Sequence, residues 1–384
     1  MNFTFQSVRS IVVEAGASAK LGEIMQSLGS RTVLLVTDKG VRQAGLIDPA
    51  LKSFADKGVA CLIYDDVMAD PPASVIEAAA AFAAQNKVDG VVGLGGGSSI
   101  DTAKLVALLA PGKEKLADIY GVGMAKGPRL PLALAPTTAG TGSEVTPISI
   151  VTTGEGEKKG VVSPVILPDC AVLDADLTLG LPAHVTAATG IDAMVHAIEA
   201  ITSKRLRNPV SDCLAREALA LLGHNIHIAC KPGVHRAARE AMLLGAMLAG
   251  MAFANAPVAA VHALAYPVGA RFLVPHGLSN ALVLPHVLRF NAAAPEAEAA
   301  YSGIADILIP GASGGAASKT AALARYVASL SADLGLETRL SQVGIAERDI
   351  RRLADDAMLQ TRLLVNNPRE VRHEDALTIY HQAL

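Results

Sequence analysis

Asp192 and His196 stand four residues apart in the Ala-rich, Pro-free run Gly190-Ile-Asp-Ala-Met-Val-His196. On a helix that spacing projects a carboxylate and an imidazole from one face, about one turn apart, which suits a shared cation. A second helical run, Ala259-Ala-Val-His262-Ala-Leu-Ala-Tyr266, offers another imidazole, and Pro275-His276-Gly277 offers a third on an expected turn. One carboxylate and three imidazoles make a ligand set for a divalent transition metal such as Fe(II) or Zn(II). The competing reading makes each histidine a packed or solvated residue, since unpaired polar groups in such apolar helices are costly.

A different chemistry belongs to two glycine-rich loops upstream. Gly95-Gly96-Gly97-Ser98 follows the strand candidate 90–94 and precedes the helical run Ile100-Asp-Thr-Ala-Lys-Leu-Val. Glycines there let the N–H groups of a helix N-terminus approach a pyrophosphate, although a tight turn capped by Ser98 or Ser99 explains them equally. The loop matches neither Gly-x-Gly-x-x-Gly nor a Walker loop. Thr137-Thr138-Ala-Gly140-Thr141-Gly142-Ser143 is a second loop of hydroxyls and glycines at a strand end. In an open parallel sheet ligands bind beyond strand C-termini, so both loops could grip one extended cofactor. Asp38 also ends a strand; it is either a helix N-cap or the partner of a ribose 2'-hydroxyl, the latter favouring NAD over NADP. Asp101, in a first helical turn, reads as structural and able to pair with Lys104.

The elements that must carry these residues change texture along the chain. From residue 31 short β-branched runs alternate with Ala- and Leu-rich amphipathic stretches, the pattern of a parallel α/β sheet. Strands are expected at 32–37, 59–64, 90–94, 130–136 and 170–173. A helix is expected over 74–85 with Ser74 as its cap, and a hairpin from 149–153 and 161–163 around Gly154–Gly160. Beyond Pro182 strand candidates vanish and long Ala/Leu/Met runs follow. The expected architecture is an α/β dinucleotide-binding domain over residues 1–181 and an all-helical domain over 182–384.

Composition narrows the function. A net charge of −3 with no basic block, no tryptophan and 3% aromatics argue against a nucleic-acid surface. Four scattered cysteines without a Cys-x-x-Cys pair suit buried thiols in a reducing compartment. The N-terminal Met1-Asn-Phe-Thr-Phe-Gln lacks the basic and apolar regions of a secretory signal, and apolar runs such as 241–254 read as too short and glycine-broken to span a bilayer. The expectation is a cytoplasmic enzyme with neither nucleic acid nor membrane as partner.

Several stretches together resemble the iron-containing (group III) alcohol dehydrogenase family. They are Thr37-Asp-Lys-Gly40, Gly95-Gly-Gly-Ser-Ser-Ile-Asp-Thr-Ala-Lys104, Pro136-Thr-Thr-Ala-Gly-Thr-Gly-Ser-Glu144, Gly190-Ile-Asp-Ala-Met-Val-His-Ala-Ile-Glu199, Gly250-Met-Ala-Phe-Ala-Asn-Ala256, His262-Ala-Leu-Ala, Pro275-His-Gly277 and Asn367-Pro-Arg369. Their order and spacing carry the likeness across essentially the whole chain. The resemblance implies a Rossmann-like domain, a helical domain and a metal in the cleft between them. It puts Asp192, His196, His262 and His276 on the metal positions, and Gly95, Gly96, Gly97, Ser98, Thr137, Thr138 and Thr141 on the pyrophosphate and nicotinamide side. Asp38 falls on the adenosine-ribose carboxylate, with Asp70 near it where some members have Asn. Val151 and Lys158, with Lys159 as alternative, match further cofactor contacts. Phe253 matches a pocket aromatic, and Ser149 is a weaker pocket candidate.

Where many members carry a further histidine four residues after the third ligand, this chain has Tyr266, which either orients substrate or water or fills space. Ala254 stands where glycine is common. The implied activity is NAD-linked interconversion of an alcohol with an aldehyde or ketone, the metal acting as Lewis acid. Alternatives on the same fold are a hydroxyacid-oxoacid transhydrogenase and a 4-hydroxybutyrate-type dehydrogenase; zinc glycerol dehydrogenases and dehydroquinate-synthase-like enzymes are more distant likenesses. A non-catalytic nucleotide-binding protein would lack the ligands. The family likeness also suggests a homodimer or a higher homo-oligomer.

Overall fold

A computed structural model describes residues 2–154 and 157–384. The chain forms two compact units. One comprises Gln6–Thr138 and Gly142–Leu181; the other comprises Pro182–Leu384 with Ala139–Thr141 and the N-terminal end up to Phe5.

The first unit is built on parallel strands: β1 (Ser10–Val13), β2 (Thr32–Val36), β3 (Ala60–Tyr64), β4 (Gly90–Gly95), β6 (Leu132–Pro136) and β9 (Cys170–Leu173), in spatial order β1-β9-β6-β4-β2-β3. Between them run helices α1 (Leu21–Ser27), α2 (Lys39–Gln43), α3 (Asp48–Asp56), α4 (Ala73–Gln85) and α5 (Gly97–Leu109). Strand side chains alternate between two apolar layers. Val33, Leu35, Val92 and Leu94 join one buried cluster, while Leu34, Val36 and Val91 join the other. A sheet covered on both faces needs continuous apolar strands, which is why these runs show no polar alternation. The short strand β5 (Gly121–Val122) joins the antiparallel pair β7 (Ile148–Thr153) and β8 (Glu157–Val162) in a separate three-stranded sheet.

Several expectations need correction. Strand β1 was not foreseen; four residues paired only with β9 give too short a pattern to stand out. Helix α4 begins at Ala73 after Pro72 and has no side-chain cap, so Ser74 lies inside its first turn. The tip of the β7–β8 hairpin falls partly on Glu155 and Gly156, outside the described residues. Helix α5 likewise starts at Gly97 with Gly96 as an uncapped N-cap, so neither Ser98 nor Ser99 is the cap.

Among the described residues from Pro182 onward there are helices and no strand. They are α6 (Ala183–Thr202), α7 (Pro209–Ala229), α8 (Arg236–Asn255), α9 (Ala260–Phe272), α10 (His276–Asn291), α11 (Pro295–Leu308), α12 (Ala316–Asp333), α13 (Ile350–Met358), α14 (Thr361–Leu364) and α15 (His373–Ala383). Helix α8 corrects another expectation: its 20 residues are long and apolar enough, by length and composition, to cross a membrane. Here it packs on α6 and α7, with Met242, Leu243, Ala246 and Ala249 buried as core. Glycine does not break it, and Gly245 lets α7 approach, since a Cβ there would lie 2.9 Å from Leu222 Cγ.

Candidate metal centre and cofactor loops

The i, i+4 pair Asp192 and His196 lies in the middle of α6, where both side chains are buried. His262 comes from the first turn of α9. His276 is the first residue of α10 and not part of a free turn, because Pro275, extended and lacking an N–H, starts the helix there. Each of the four residues offers one donor atom, and all four atoms lie within 4.8 Å of one another. The imidazole Nε2 atoms of His276, His262 and His196 stand 3.6, 3.8 and 4.0 Å from Asp192 Oδ1. Four donors about 2.0–2.2 Å from a tetrahedral cation are separated by roughly 3.3–3.6 Å, so a small contraction closes this set on one ion.

Charge and tautomer suit a metal as well. Burial pushes the Asp192 carboxyl up, but His196, His276 and His262 together with the Asn280 N–H outweigh it, and the group ends below the usual carboxylate range. Burial holds His196 below the usual histidine value against the pull of Asp192, and burial with the neighbouring imidazoles holds His262 well below it. Neutral imidazoles keep a lone pair for a cation. His262 Nδ1 lies 2.7 Å from Glu199 Oε2, which fixes the proton on Nδ1 and turns the Nε2 lone pair into the cluster. Glu199 is itself anchored by the Val261 N–H at 2.7 Å and the Ala259 N–H at 3.0 Å. Burial pushes its carboxyl up to about 7 against those donors. The donor set therefore fits a divalent metal.

Around the donors, Phe253 of α8 stacks on His196 with ring centroids 4.3 Å apart. Tyr266, one turn after His262, has its ring 5.8 Å from that of His276 and 6.4 Å from that of His262. Gly277 lets α10 touch α6, since a Cβ there would lie 2.3 Å from Ala188 O.

In the sheet-bearing unit the two hydroxyl- and glycine-rich loops meet. The Thr137 N–H donates to Gly95 O at 2.9 Å, and a Cβ on Gly96 would lie 3.8 Å from Thr138 Cγ2. Gly95 must be glycine for another reason: a Cβ there would lie 2.6 Å from Ser99 Cβ. Asp38 is a helix N-cap, the first of the two readings of its role. Its Oδ1 caps α2 by accepting from the Val41 N–H at 3.0 Å, while Oδ2 accepts from Ser99 Oγ at 3.4 Å. Asp70 accepts the Lys158 ammonium, and its N–H donates to Ser98 Oγ at 3.3 Å. Lys159 points elsewhere, toward Glu157 at 3.3 Å and over the Tyr120 ring. Val151 is fully buried. Ser149 is buried as well, its hydroxyl donated to Asp101 O at 3.1 Å.

The loop after Gly142 is tied down by a buried cation. Lys104 Nζ donates to Ser143 Oγ and Ile148 O at 2.7 Å and to Thr146 Oγ1 at 3.2 Å. It stands 3.6 Å from Asp101 Oδ1, and Asp101 in turn accepts from the Ser143 hydroxyl and, at 2.9 Å, from the Ile150 N–H. The expected Asp101–Lys104 pair thus exists and does more than stabilise its own helix. Thr141, together with Ala139 and Gly140, belongs to the helical unit, where a Cβ on Gly140 would lie 2.7 Å from Thr189 Cβ.

Sequence reasoning missed Glu199, Asn280 and the reach of Lys104. Glu199 sits at i+7 from Asp192, two turns along the same helix face, a spacing that could have flagged it. Asn280 sits at i+4 from His276 and could have been flagged the same way.

The sequence profile described as iron-containing alcohol dehydrogenase matches residues 9–175, and that of the Fe-containing alcohol dehydrogenase family, C-terminal, matches residues 186–384. Long-chain-alcohol dehydrogenase 1 of Geobacillus thermodenitrificans (strain NG80-2) is 39% identical over 375 residues, covering 96% of this chain and 93% of that protein. The NAD-dependent methanol dehydrogenase of Bacillus methanolicus is 33% identical over 379 residues, covering 97% of each. Among solved structures, a 1,3-propanediol oxidoreductase superposes with a TM-score of 0.96 at 34% identity, covering 100% of both chains. With both halves of the chain matched and the donor cluster assembled, the protein belongs to the iron-containing alcohol dehydrogenase family and is an oxidoreductase acting on alcohols.

Proposed function

We propose that the chain interconverts a small-molecule alcohol with its aldehyde or ketone by hydride exchange with NAD, using Fe(II), or Zn(II) in its place, held by Asp192, His196, His262 and His276. The observation that carries the metal assignment is the convergence of four donor atoms within 4.8 Å. A metal there supplies Lewis acidity toward the substrate oxygen. The chain's own residues supply the rest. Asp192 contributes the one negative charge among the ligands, and Glu199 keeps the His262 lone pair directed inward. Phe253 covers the His196 ring and excludes water from that side, while Tyr266 beside His276 offers an apolar ring and a hydroxyl for orienting the substrate.

Gly95, Gly96, Gly97 and Ser98 at the N-terminus of α5 are assigned to the pyrophosphate, with Thr137, Thr138 and Thr141 on the nicotinamide side. Asp38 is assigned to the adenosine ribose, where its carboxylate accepts a 2'-hydroxyl and repels a 2'-phosphate, so NAD is preferred to NADP. Asp70, Val151 and Lys158 complete the cofactor contacts, and the short Asp70–Lys158 pair is what supports choosing Lys158 over Lys159. Ser149, with its hydroxyl already spent on Asp101, is retained only as a minor wall of the substrate pocket. The division into a cofactor-binding domain, 1–181, and a metal-binding domain, 182–384, belongs to the same reading. So do a cytoplasmic location, consistent with four free cysteines, and a homodimeric or larger assembly, which light scattering would measure.

The test is a panel of alcohols and hydroxyacids with NAD and NADP, run on metal-stripped protein reloaded with Fe(II) or Zn(II). Activity restored by metal, and abolished together with metal binding in His262→Ala, is the expected result. Full turnover by a metal-free His262→Ala protein would refute the assignment. Turnover without added NAD would instead favour the transhydrogenase.

A further inference from the structure

The metal ligands share one neighbour that is not itself a metal ligand. Asn280 lies one turn beyond His276 on α10, with no exposed surface. Its Nδ2 is 2.6 Å from Asp192 Oδ1 and 3.3 Å from both His262 Nε2 and His276 Nε2. One amide group therefore touches three of the four donor atoms, contributed by α6, α9 and α10. Asp192 Oδ1 is an acceptor, and so is His262 Nε2 with its Nδ1 proton held by Glu199, so the donating end of the amide faces them. The cost of that orientation is visible at the other end, where the buried Oδ1 has no hydrogen-bond partner. A buried carbonyl oxygen left unpaired is costly, so the contacts at the N–H end are what hold the amide in this orientation.

We infer that Asn280 is a positioning residue of the metal centre, whose side-chain N–H group holds the Asp192 carboxylate aimed at the histidine donors. The inference rests on the metal site proposed above. The hydrogen bond to Asp192 Oδ1 is the shortest of the three and is made to a charged acceptor, the stronger class of hydrogen bond. It restrains the rotation of the carboxylate. The two longer contacts hold the His262 and His276 rings near one point before a cation arrives; once those lone pairs are taken up, the N–H remains committed to Asp192. An outer contact of this kind typically changes metal affinity 10- to 100-fold on mutation.

The experiment measures Zn(II) dissociation constants, by competition with a chromophoric chelator, on the full chain and on Asn280→Ala, Asn280→Leu, Asp192→Ala and the Asp192→Ala/Asn280→Ala double variant. Far-UV circular dichroism reports whether each variant folds. Asn280→Leu keeps a branched side chain and leaves no cavity, so it carries the test should Asn280→Ala fail to fold. The expected result is affinity weakened about 10- to 100-fold in both Asn280 variants, with a smaller loss when Asn280→Ala is added to Asp192→Ala than when it is made alone. Three outcomes would overturn the inference: affinity within twofold of wild type in Asn280→Ala, recovery of affinity in Asn280→Leu, or a full additive loss in the double variant. A wild-type chain that binds neither Zn(II) nor Fe(II) would instead remove the metal site itself, which keeps the two failures distinct.

Discussion

Gly277→Ala adds a single methyl group next to His276, one of the proposed metal ligands, and should abolish tight metal binding. Gly277 follows His276 in the first turn of α10, and its missing Cβ leaves room for the α6 backbone. A Cβ there would lie 2.3 Å from Ala188 O, 2.7 Å from Ala188 C and 3.3 Å from Thr189 N. Non-bonded carbon contacts settle at about 3.5 Å, so α10 must retreat from α6 by roughly 1 Å. Backbone cannot swing aside as a side-chain tip can. That retreat separates His276 from Asp192 and His196, whereas metal-ligand distances tolerate only about 0.2 Å. Alanine would gain up to about 1 kcal/mol of helix propensity, and the overpacking costs about 1–3 kcal/mol, so the fold survives while the donor set opens. Zn(II) affinity should fall about 100-fold or more, equivalent to ~2.7 kcal/mol, measured by chelator competition alongside a urea melt. Gly190→Ala is the control, two residues before Asp192. Its Cβ would meet Met242 Cε at 2.6 Å and Ile226 Cδ1 at 2.9 Å, ends of side chains that can move. Its loss should stay below about tenfold. A Gly277→Ala protein with wild-type Zn(II) affinity would refute the argument that the α6–α10 approach sets the donor spacing.

Glu199→Gln should weaken Zn(II) binding about 10- to 100-fold, because either amide orientation sets an N–H against the Ala259 or Val261 N–H and disturbs the His262 tautomer; unchanged affinity would contradict the assigned tautomer. Phe253→Ala removes the ring stacked on His196 and should cost about 3 kcal/mol in urea unfolding, read as a lower midpoint at unchanged slope. Two buried groups of the sheet-bearing unit, Glu144 and Lys104, predict opposite pH limbs. Burial raises Glu144 from 4.5 to about 7, so the native state holds its proton more tightly, and that contribution to stability is lost as pH rises from 4.5 to 7. Burial lowers Lys104 from 10.5 to about 8, so the penalty is complete below 8 and is relieved as pH rises from 8 to 10.5. Urea midpoints across pH should show the acid limb flattened in Glu144→Gln and the alkaline limb flattened in Lys104→Met. Limbs that persist in those variants would assign them to other groups.

Local periodicity makes much of this protein legible in its sequence. Apolar β-branched runs identified most strands of the parallel sheet, because strands buried on both faces cannot hide polar residues. The loss of such runs after Pro182 marked the change to helices. The i, i+4 spacing of Asp192 and His196 fixed their common direction, since 3.6 residues per turn leaves no freedom about which face they share. What spacing cannot encode is which faces meet. His262 and Glu199 are 63 positions apart in sequence, and Asn280 and Asp192 are 88 apart, so their pairing depends on how α6, α9 and α10 pack. The reach of Lys104 to the 143–148 loop and the pairing of β1 with β9 are tertiary in the same sense. Side-chain type and periodicity determined which residues could bind a cation and which could cradle a cofactor. Only packing, set by glycines such as Gly277 that admit one backbone against another, decided that four donor atoms converge and which buried carboxylate and amide hold them there.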